Sequence, residues 1–227
     1  KVYDLQNSSR TSFYKKILFP NLGSYKWSSS ETTLPANETK KEFDKKPVLE
    51  RFDHQLKISG LKTFHTLKPD FSWGCSNIDK LISKYNLSDY ILLFPFCSEH
   101  LQQKKWPYYD QLIKLIKQNH PNLKIVIAPG PDEIEKAKKL DAVSILKEDK
   151  AISISELAGL IKRSKFVVAN DTGPAHMAAH LNVKGLSLFG SHTTAHKVSI
   201  ERENFKAIQV SDLKNLSAEK VFERLVL

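Results

Sequence analysis

Short apolar runs alternate with segments of helical periodicity from residue 91 to the end of the chain. Continuous apolar stretches predict buried strands over residues 91–96, 123–128, 142–146, 165–169, 185–189 and 206–210. Between strands, apolar side chains recur at i, i+3, i+4 and i+7, as in Tyr109, Leu112, Ile113 and Ile116 and again in Ile154, Leu157, Ala158 and Ile161. This alternation predicts an α/β fold with a parallel sheet covered on both faces.

Residues 71–227 are therefore expected to form a Rossmann-like domain, with ligands at the carboxyl ends of its strands. Ser153 or Ser155 is the expected N-cap of the second periodic helix, a charged helix is expected over residues 132–140, and Ser217 starts a closing helix.

Residues 1–70 follow a different pattern. VYDLQ indicates the end of a strand, NSSRTSFYKKILF and VLERFDHQLKISG indicate helices, and the polar SSSETTLPANETKKEFDKKP indicates a loop. This segment is predicted to be the last part of an N-terminal domain, followed by a linker.

Composition is ordinary for a globular protein, with 41% hydrophobic and 26% charged residues. No apolar run approaches the roughly 18 residues of a membrane span. Cys75 and Cys97 form no CxxC pair, which suits a reducing cytosol. The net charge of +10 favours an anionic partner, but the lysines are scattered in pairs, so a nucleotide, a phosphorylated glycolipid or a membrane surface is favoured over nucleic acid.

The segment FVVANDTGPAHMAAHL contains the strongest candidate site. Thr172 is a natural N-cap after a strand, and Pro174 suits the first helical turn. The helix N-terminus would bind phosphate, Gly173 would let a ligand approach the backbone, and His176 could donate to a phosphate oxygen. A capped turn without a ligand explains the same residues, and the spacing alone favours neither reading.

Three further polar loops follow predicted strands. They carry Ser98 and Lys104 before Trp106-Pro107, Glu133 at the start of the charged helix, and Ser191, Thr193 and Thr194 after residues 185–189. Taken singly, each loop is explained by solvated lysines, by an acid at a helix N-terminus or by a polar surface turn. Because parallel strands end at one edge of a sheet, the four loops together predict one nucleotide site.

Other catalytic signatures are absent from the sequence. It contains no GxGxxG, no P-loop GxxxxGK[ST], no GxSxG and no HExxH. His176 and His180 are spaced i, i+4, but no Glu or Cys accompanies them in a zinc-binding arrangement, so no metal site is expected.

Four segments, in this order, resemble glycosyltransferase family nine, the ADP-heptose:lipopolysaccharide heptosyltransferases. They are LLFPFCSEHLQQKKWP, APGPDEIEKA, FVVANDTGPAHMAAHL and SLFGSHT, of which DTGPAHMAAHL is the most specific. YDLQNSSRT and LERFDHQLKISGL are similar to the end of the family's N-terminal domain and to its bridging region. Phe96 departs from the family pattern, which has glycine, and Ser191-His192 replaces Pro–Thr; both positions bear on the donor sugar.

The resemblance implies a GT-B fold and inverting, metal-independent transfer, without a cofactor, from a nucleotide sugar, ADP-heptose, to a lipid A–core oligosaccharide acceptor. The donor-binding residues that it implies are Ser98, Lys104, Glu133, Asp171, Thr172, Gly173 and His176. Lys104 and His176 would stabilise the leaving group, and Glu133 would bind ribose. The family's proposed catalytic base, an aspartate, belongs to a part of the N-terminal domain that is not represented here, so no residue is expected to take that role.

Two functional hypotheses stay open from the sequence. One is a cytoplasmic heptosyltransferase-like enzyme with peripheral contact at the inner membrane. The other is a truncated, non-catalytic module that binds nucleotide sugars. A basic nucleic-acid-binding domain is a weaker third.

Overall fold

The computed structural model describes residues 1–18 and 26–227, which fall into two compact units. The first unit contains Lys1–Pro69 with His196–Ser199, and the second contains Asp70–Ala195 and Ile200–Leu227. His196–Ser199 joins the first unit through its backbone, because Lys197 O accepts the Val48 N–H at 2.9 Å.

The first unit is a small β-α-β arrangement followed by two helices. Its elements are β1 (Val2–Tyr3), α1 (Ser9–Leu18), β2 (Trp27–Ser28), α2 (Lys40–Phe43) and α3 (Val48–Ile58). β1 and β2 pair in parallel. The buried Gln55 of α3 donates its Nε2 to the carbonyl oxygens of Asp4 at 2.9 Å and Ser28 at 3.1 Å, which fastens the helix to both strand ends.

One expectation about this unit needs correction, and another concerns a residue outside the described ranges. The polar segment 28–47 is not only a loop, because Ser28 ends β2 and Thr39 forms a capping box with Glu42 that starts α2. Phe19, the last residue of the first predicted helix, lies outside the described residues.

Within the described residues, the second unit holds one six-stranded parallel sheet. Its strands are β3 (Tyr90–Phe94), β4 (Lys124–Ile127), β5 (Val143–Ser144), β6 (Phe166–Asn170), β7 (Gly185–Phe189) and β8 (Phe205–Gln209). The order across the sheet is β5-β4-β3-β6-β7-β8. The predicted α/β class and parallel sheet are confirmed.

The helices of the second unit are α4 (Asp79–Tyr85), α5 (Tyr109–Asn119), α6 (Ile134–Ala137), α7 (Ile154–Arg163), α8 (Gly173–His180) and α9 (Ala218–Phe222). Ser153 is the N-cap of α7, with Glu156 completing a capping box. The charged helix expected over residues 132–140 is shorter, since a 3₁₀ turn at Pro131–Glu133 precedes a single α-helical turn. None of the helices in residues 1–18 and 26–227 combines the length and apolarity that crossing a bilayer requires.

Successive side chains of a strand point to opposite faces of the sheet, and helices pack against both faces. Ile91, Leu93 and Val168 pack in one buried cluster with Ile113 of α5 and Val221 of α9. On the other face, the Tyr90 hydroxyl donates to Leu160 O of α7 at 2.6 Å.

The sheet has a topological switch point between β3 and β6. The chain moves outward from β3 through β4 to β5, then returns to place β6 on the other side of β3. The connections that leave β3 and β6 therefore diverge at the carboxyl edge, which opens a crevice where open α/β sheets bind ligands.

Candidate nucleotide-binding site

Asn170, the last residue of β6, anchors the loop that follows β3. Its side chain is buried, its Oδ1 accepts the Trp106 N–H at 3.2 Å, and its Nδ2 donates to Phe96 O at 3.4 Å. Trp106 is itself fully buried and donates its indole N–H to Leu216 O at 2.7 Å. These bonds hold the β3 loop in one position at the switch point.

The anchored loop brings Lys104 to the end of β6. Lys104 ends the 3₁₀ segment Glu99–Lys104, and its Nζ donates to Asp171 Oδ2 at 2.8 Å and to Asp171 O at 3.3 Å. The two residues are 67 positions apart in the sequence, and they meet because β3 and β6 are neighbours in the sheet.

Two histidines complete the surroundings of the Asp171 carboxylate. His192, after β7, places Nε2 3.0 Å from Oδ2, and His176, in the first turns of α8, places Nε2 3.4 Å from Oδ1. Burial by itself would raise the pKa of Asp171, but the hydrogen bonds from His176, Lys104 and His192 outweigh it and hold that pKa well below its usual range. Asp171 is therefore a buried, charged carboxylate.

The partners of Asp171, and not its carboxylate, face the solvent. The Asp171 side chain is 3% exposed, whereas those of Lys104 and His176 are 22% and 34% exposed. A ligand that enters the crevice thus meets an ammonium and an imidazole whose positions Asp171 fixes.

A cavity of about 540 Å³ adjoins these residues. Its apolar lining includes Phe96, Ile127, Ala128, Pro129, Ile152 and Leu157. Its polar lining includes four of the predicted residues, Ser98, Glu133, Thr172 and Gly173. An apolar chamber with a polar rim is suited to a planar heterocycle joined to a polar tail.

Two of those lining residues have local roles of their own. The Glu133 carboxylate accepts the Gly130 N–H at 2.8 Å, so it also fixes its own turn. Thr172 occupies the N-cap position of α8, but the expectation that it caps the helix is wrong for its side chain, since the hydroxyl donates to Asn170 O at 3.3 Å.

His180 is one turn beyond His176 but belongs to a different environment. Its Nδ1 lies 3.3 Å from Arg202 Nη2, and its pKa falls from 6.5 to about 4, chiefly through burial and then through the nearby charge of Arg202. In the described part of the chain, no three His, Cys, Asp or Glu side chains are grouped in a way that could hold a metal ion.

The predicted residues form two adjacent groups: Ser98, Glu133, Thr172 and Gly173 line the cavity, and Lys104 and His176 surround Asp171, which directly precedes Thr172 in the chain. Sequence reasoning missed the roles of Asn170 and His192. The available signal was positional: Asn170 ends a buried strand, and His192 follows the strand that pairs with β6.

Comparison with known proteins identifies the family. A sequence model of glycosyltransferase family 9 (heptosyltransferase) matches residues 1–225. Lipopolysaccharide heptosyltransferase 1 of Campylobacter coli is 29% identical over 114 aligned residues, and the match covers 46% of this chain and 33% of that protein.

Two solved structures show the same fold. The E. coli heptosyltransferase WaaC with ADP has a TM-score of 0.59 at 22% identity, over 79% of this chain and 56% of that one. E. coli ADP-heptose lps heptosyltransferase II has a TM-score of 0.58 at 17% identity, over 78% of this chain and 60% of that one.

The chain covers less than two thirds of the length of each of these relatives, with shares of 33%, 56% and 60%. Since the family model nevertheless extends over nearly all of its residues, the chain belongs to glycosyltransferase family 9, the heptosyltransferase family.

Proposed function

We propose that the protein is a glycosyltransferase that binds ADP-heptose and transfers the heptose to a lipid A–core oligosaccharide by an inverting, metal-independent displacement. The observation that carries this proposal is the placement of Lys104, His176 and the N-terminus of α8 beside a largely apolar cavity at the β3–β6 switch point. A nucleoside diphosphate suits both features, since the faces of its base are planar and apolar and its phosphates are anionic.

Each part of the donor has a matching part of the crevice. The base fits against the apolar lining near Ile127 and Ile152, and Glu133 at the rim is placed for a ribose hydroxyl. The diphosphate lies along the N-terminus of α8, past Thr172 and Gly173, where the helix dipole favours negative charge.

The proposed reaction is a single displacement at the anomeric carbon. The acceptor oxygen attacks that carbon, the bond to the β-phosphate oxygen breaks, and ADP leaves with the electron pair. Lys104, His176 and the α8 N-terminus stabilise the charge that develops on ADP, which supplies the electrostatic help that a divalent cation gives elsewhere. We assign the base that takes the acceptor proton to none of the described residues.

The choice of heptose, of ADP and of the acceptor rests on the family and on the names of its members. The Campylobacter coli relative is a lipopolysaccharide heptosyltransferase, and the E. coli fold relative was solved with ADP. A lipopolysaccharide acceptor is amphiphilic, so peripheral contact with an anionic membrane is part of the proposal.

Helix α1 supports that membrane contact. Phe13, Tyr14, Ile17 and Leu18 are exposed on it, and Lys15 and Lys16 are in its last turn. Apolar side chains with adjacent lysines favour binding to an anionic bilayer surface. Co-sedimentation is expected with phosphatidylglycerol vesicles and not with phosphatidylcholine vesicles; equal binding to both, or to neither, contradicts the contact.

Calorimetric titration with ADP tests the donor site. Lys104→Gln is expected to weaken ADP binding roughly tenfold, because a charge-assisted bond to phosphate is lost. Lys105→Gln is the matched control, since Lys105 is adjacent in sequence but exposed, whereas Lys104 is the lysine that pairs with Asp171. Equal effects of the two substitutions, or no binding of ADP by the folded wild-type protein, would contradict the proposed site.

A transfer assay separates the enzyme from the non-catalytic binding module. ADP-heptose and a lipid A–core acceptor are supplied to the protein, and donor binding and heptose transfer are both measured. Binding with transfer supports the enzyme, whereas binding without transfer supports the module.

A further inference from the structure

We propose that His192 is a positioning residue that orients the Asp171 carboxylate and, through it, the two donors that meet the diphosphate. This inference rests on the proposed nucleotide site. It goes beyond that site because His192 has little exposed surface for a ligand: its side chain is 7% exposed.

The geometry fixes which nitrogen carries hydrogen. A carboxylate can only accept, so the 3.0 Å contact between His192 Nε2 and Asp171 Oδ2 requires a hydrogen on Nε2. His192 Nδ1 is buried and has no hydrogen-bond partner among the described residues. A bare nitrogen there costs less than a buried, unpaired N–H, so the Nε2–H tautomer is favoured.

The end of β7 supports the His192 ring. The ring lies nearly parallel to that of Phe189, at 13° with centroids 6.0 Å apart, and Phe189 is the fully buried last residue of β7. A donor that packs against a buried strand end can orient the carboxylate that it contacts.

That orientation matters because Asp171 has two other partners. Oδ2 is shared by His192 and Lys104, and Oδ1 lies toward His176. If the carboxylate rotated, its oxygens would no longer hold Lys104 Nζ and His176 Nε2 in their present positions, although both side chains would remain. Loss of His192 is therefore expected to weaken phosphate binding without removing a phosphate ligand.

Two variants test the role. His192→Leu removes the donor at similar volume and is expected to weaken ADP binding roughly tenfold, whereas His192→Gln keeps an N–H donor on a side chain of similar reach and is expected to recover most of the affinity. His120→Leu, in the loop after α5, is the matched control. Melting temperatures show whether each variant is folded, and equal ADP affinity in wild type and a folded His192→Leu variant overturns the proposal.

The tautomer is measured independently of nucleotide binding. Nitrogen-15 NMR of ring-labelled protein is expected to show a protonated Nε2 and a bare Nδ1 for His192, and a protonated Nδ1 with a bare Nε2 overturns the proposal. If wild-type protein fails to bind ADP, the proposed function fails while this measurement still decides whether His192 donates to Asp171.

Discussion

Asp171 determines the character of the candidate site although a ligand would scarcely touch it. A carboxylate that is 3% exposed is tolerated only where hydrogen bonds and cations offset its loss of hydration. Here one ammonium and two imidazoles do so, and two of these groups are the ones that face the crevice. The side chains that stabilise the buried Asp171 carboxylate thus include the two that we propose meet the diphosphate.

Replacing Asp171 with alanine is expected to lower the free energy of unfolding near neutral pH. Because the folded-state pKa of Asp171 is depressed, its contribution is present above the unfolded-state pKa of roughly 3.9 and is lost as the pH falls further. Urea titrations from pH 7 to pH 2.5 should show the gap between wild type and variant closing below about pH 4. The exposed Asp132→Ala is the control, and a gap that does not depend on pH would contradict this reading of Asp171.

His180 should make stability depend on pH in a separate window. Its folded-state pKa of about 4 is below the ordinary 6.5, so between these values the unfolded chain binds more protons and stability falls on acidification. His180→Gln is expected to flatten that part of the curve. If the free energy of unfolding of the variant still falls with the same slope between pH 6.5 and 4, a group other than His180 causes that pH dependence.

At the scale of elements, two helical glycines have opposite structural requirements. A Cβ on Gly159 of α7 would lie 2.5 Å from the backbone oxygen of Ser76, whereas a Cβ on Gly173 meets nothing within 4 Å in the described residues. Gly159 is therefore required for close packing of α7. At Gly173 the space next to the backbone is open, so a ligand has room to approach it.

Gly159→Ala should lower the melting temperature by several degrees, even though alanine favours helix, because the backbone contact cannot yield without displacing the neighbouring segment. Gly173→Ala should leave the melting temperature within a few degrees of wild type and weaken ADP binding, since a methyl group would stand where the diphosphate approaches. Thermal melts and calorimetry on the pair check both statements, and a large drop in stability for Gly173→Ala would contradict the second.

Elements were more predictable than the contacts between them. The apolar runs located all six strands of the sheet. β3, β6 and β7 are buried along their whole length, as continuous apolar runs predict, whereas the edge strands β5 and β8 are only partly buried. β5 proved shorter because only two of its residues pair with β4. The sheet order is set by packing and is not encoded locally. That Lys104 and His192 share one oxygen of Asp171 therefore became visible only once β3, β6 and β7 were placed side by side.

At the scale of the whole molecule, the net charge of +10 and the local cluster are expected to make separable contributions to the proposed ADP binding. Distributed lysines attract any anion from a distance and are screened within about 10 Å at 0.1 M salt. The Lys104–Asp171–His176 cluster acts in contact, partly shielded from solvent, and is screened less.

ADP affinity should accordingly fall as salt rises from 50 to 500 mM, while the affinity of uncharged adenosine, which uses only the apolar cavity, should change little. Lys105→Gln should reduce the salt dependence of ADP binding slightly and leave the high-salt affinity unchanged. Lys104→Gln should lower affinity at every salt concentration, because it removes a contact and not only a distant charge. If Lys104→Gln and Lys105→Gln had the same ADP affinity at every salt concentration, net charge alone would account for ADP binding. The arrangement around Asp171 would then have only a structural role.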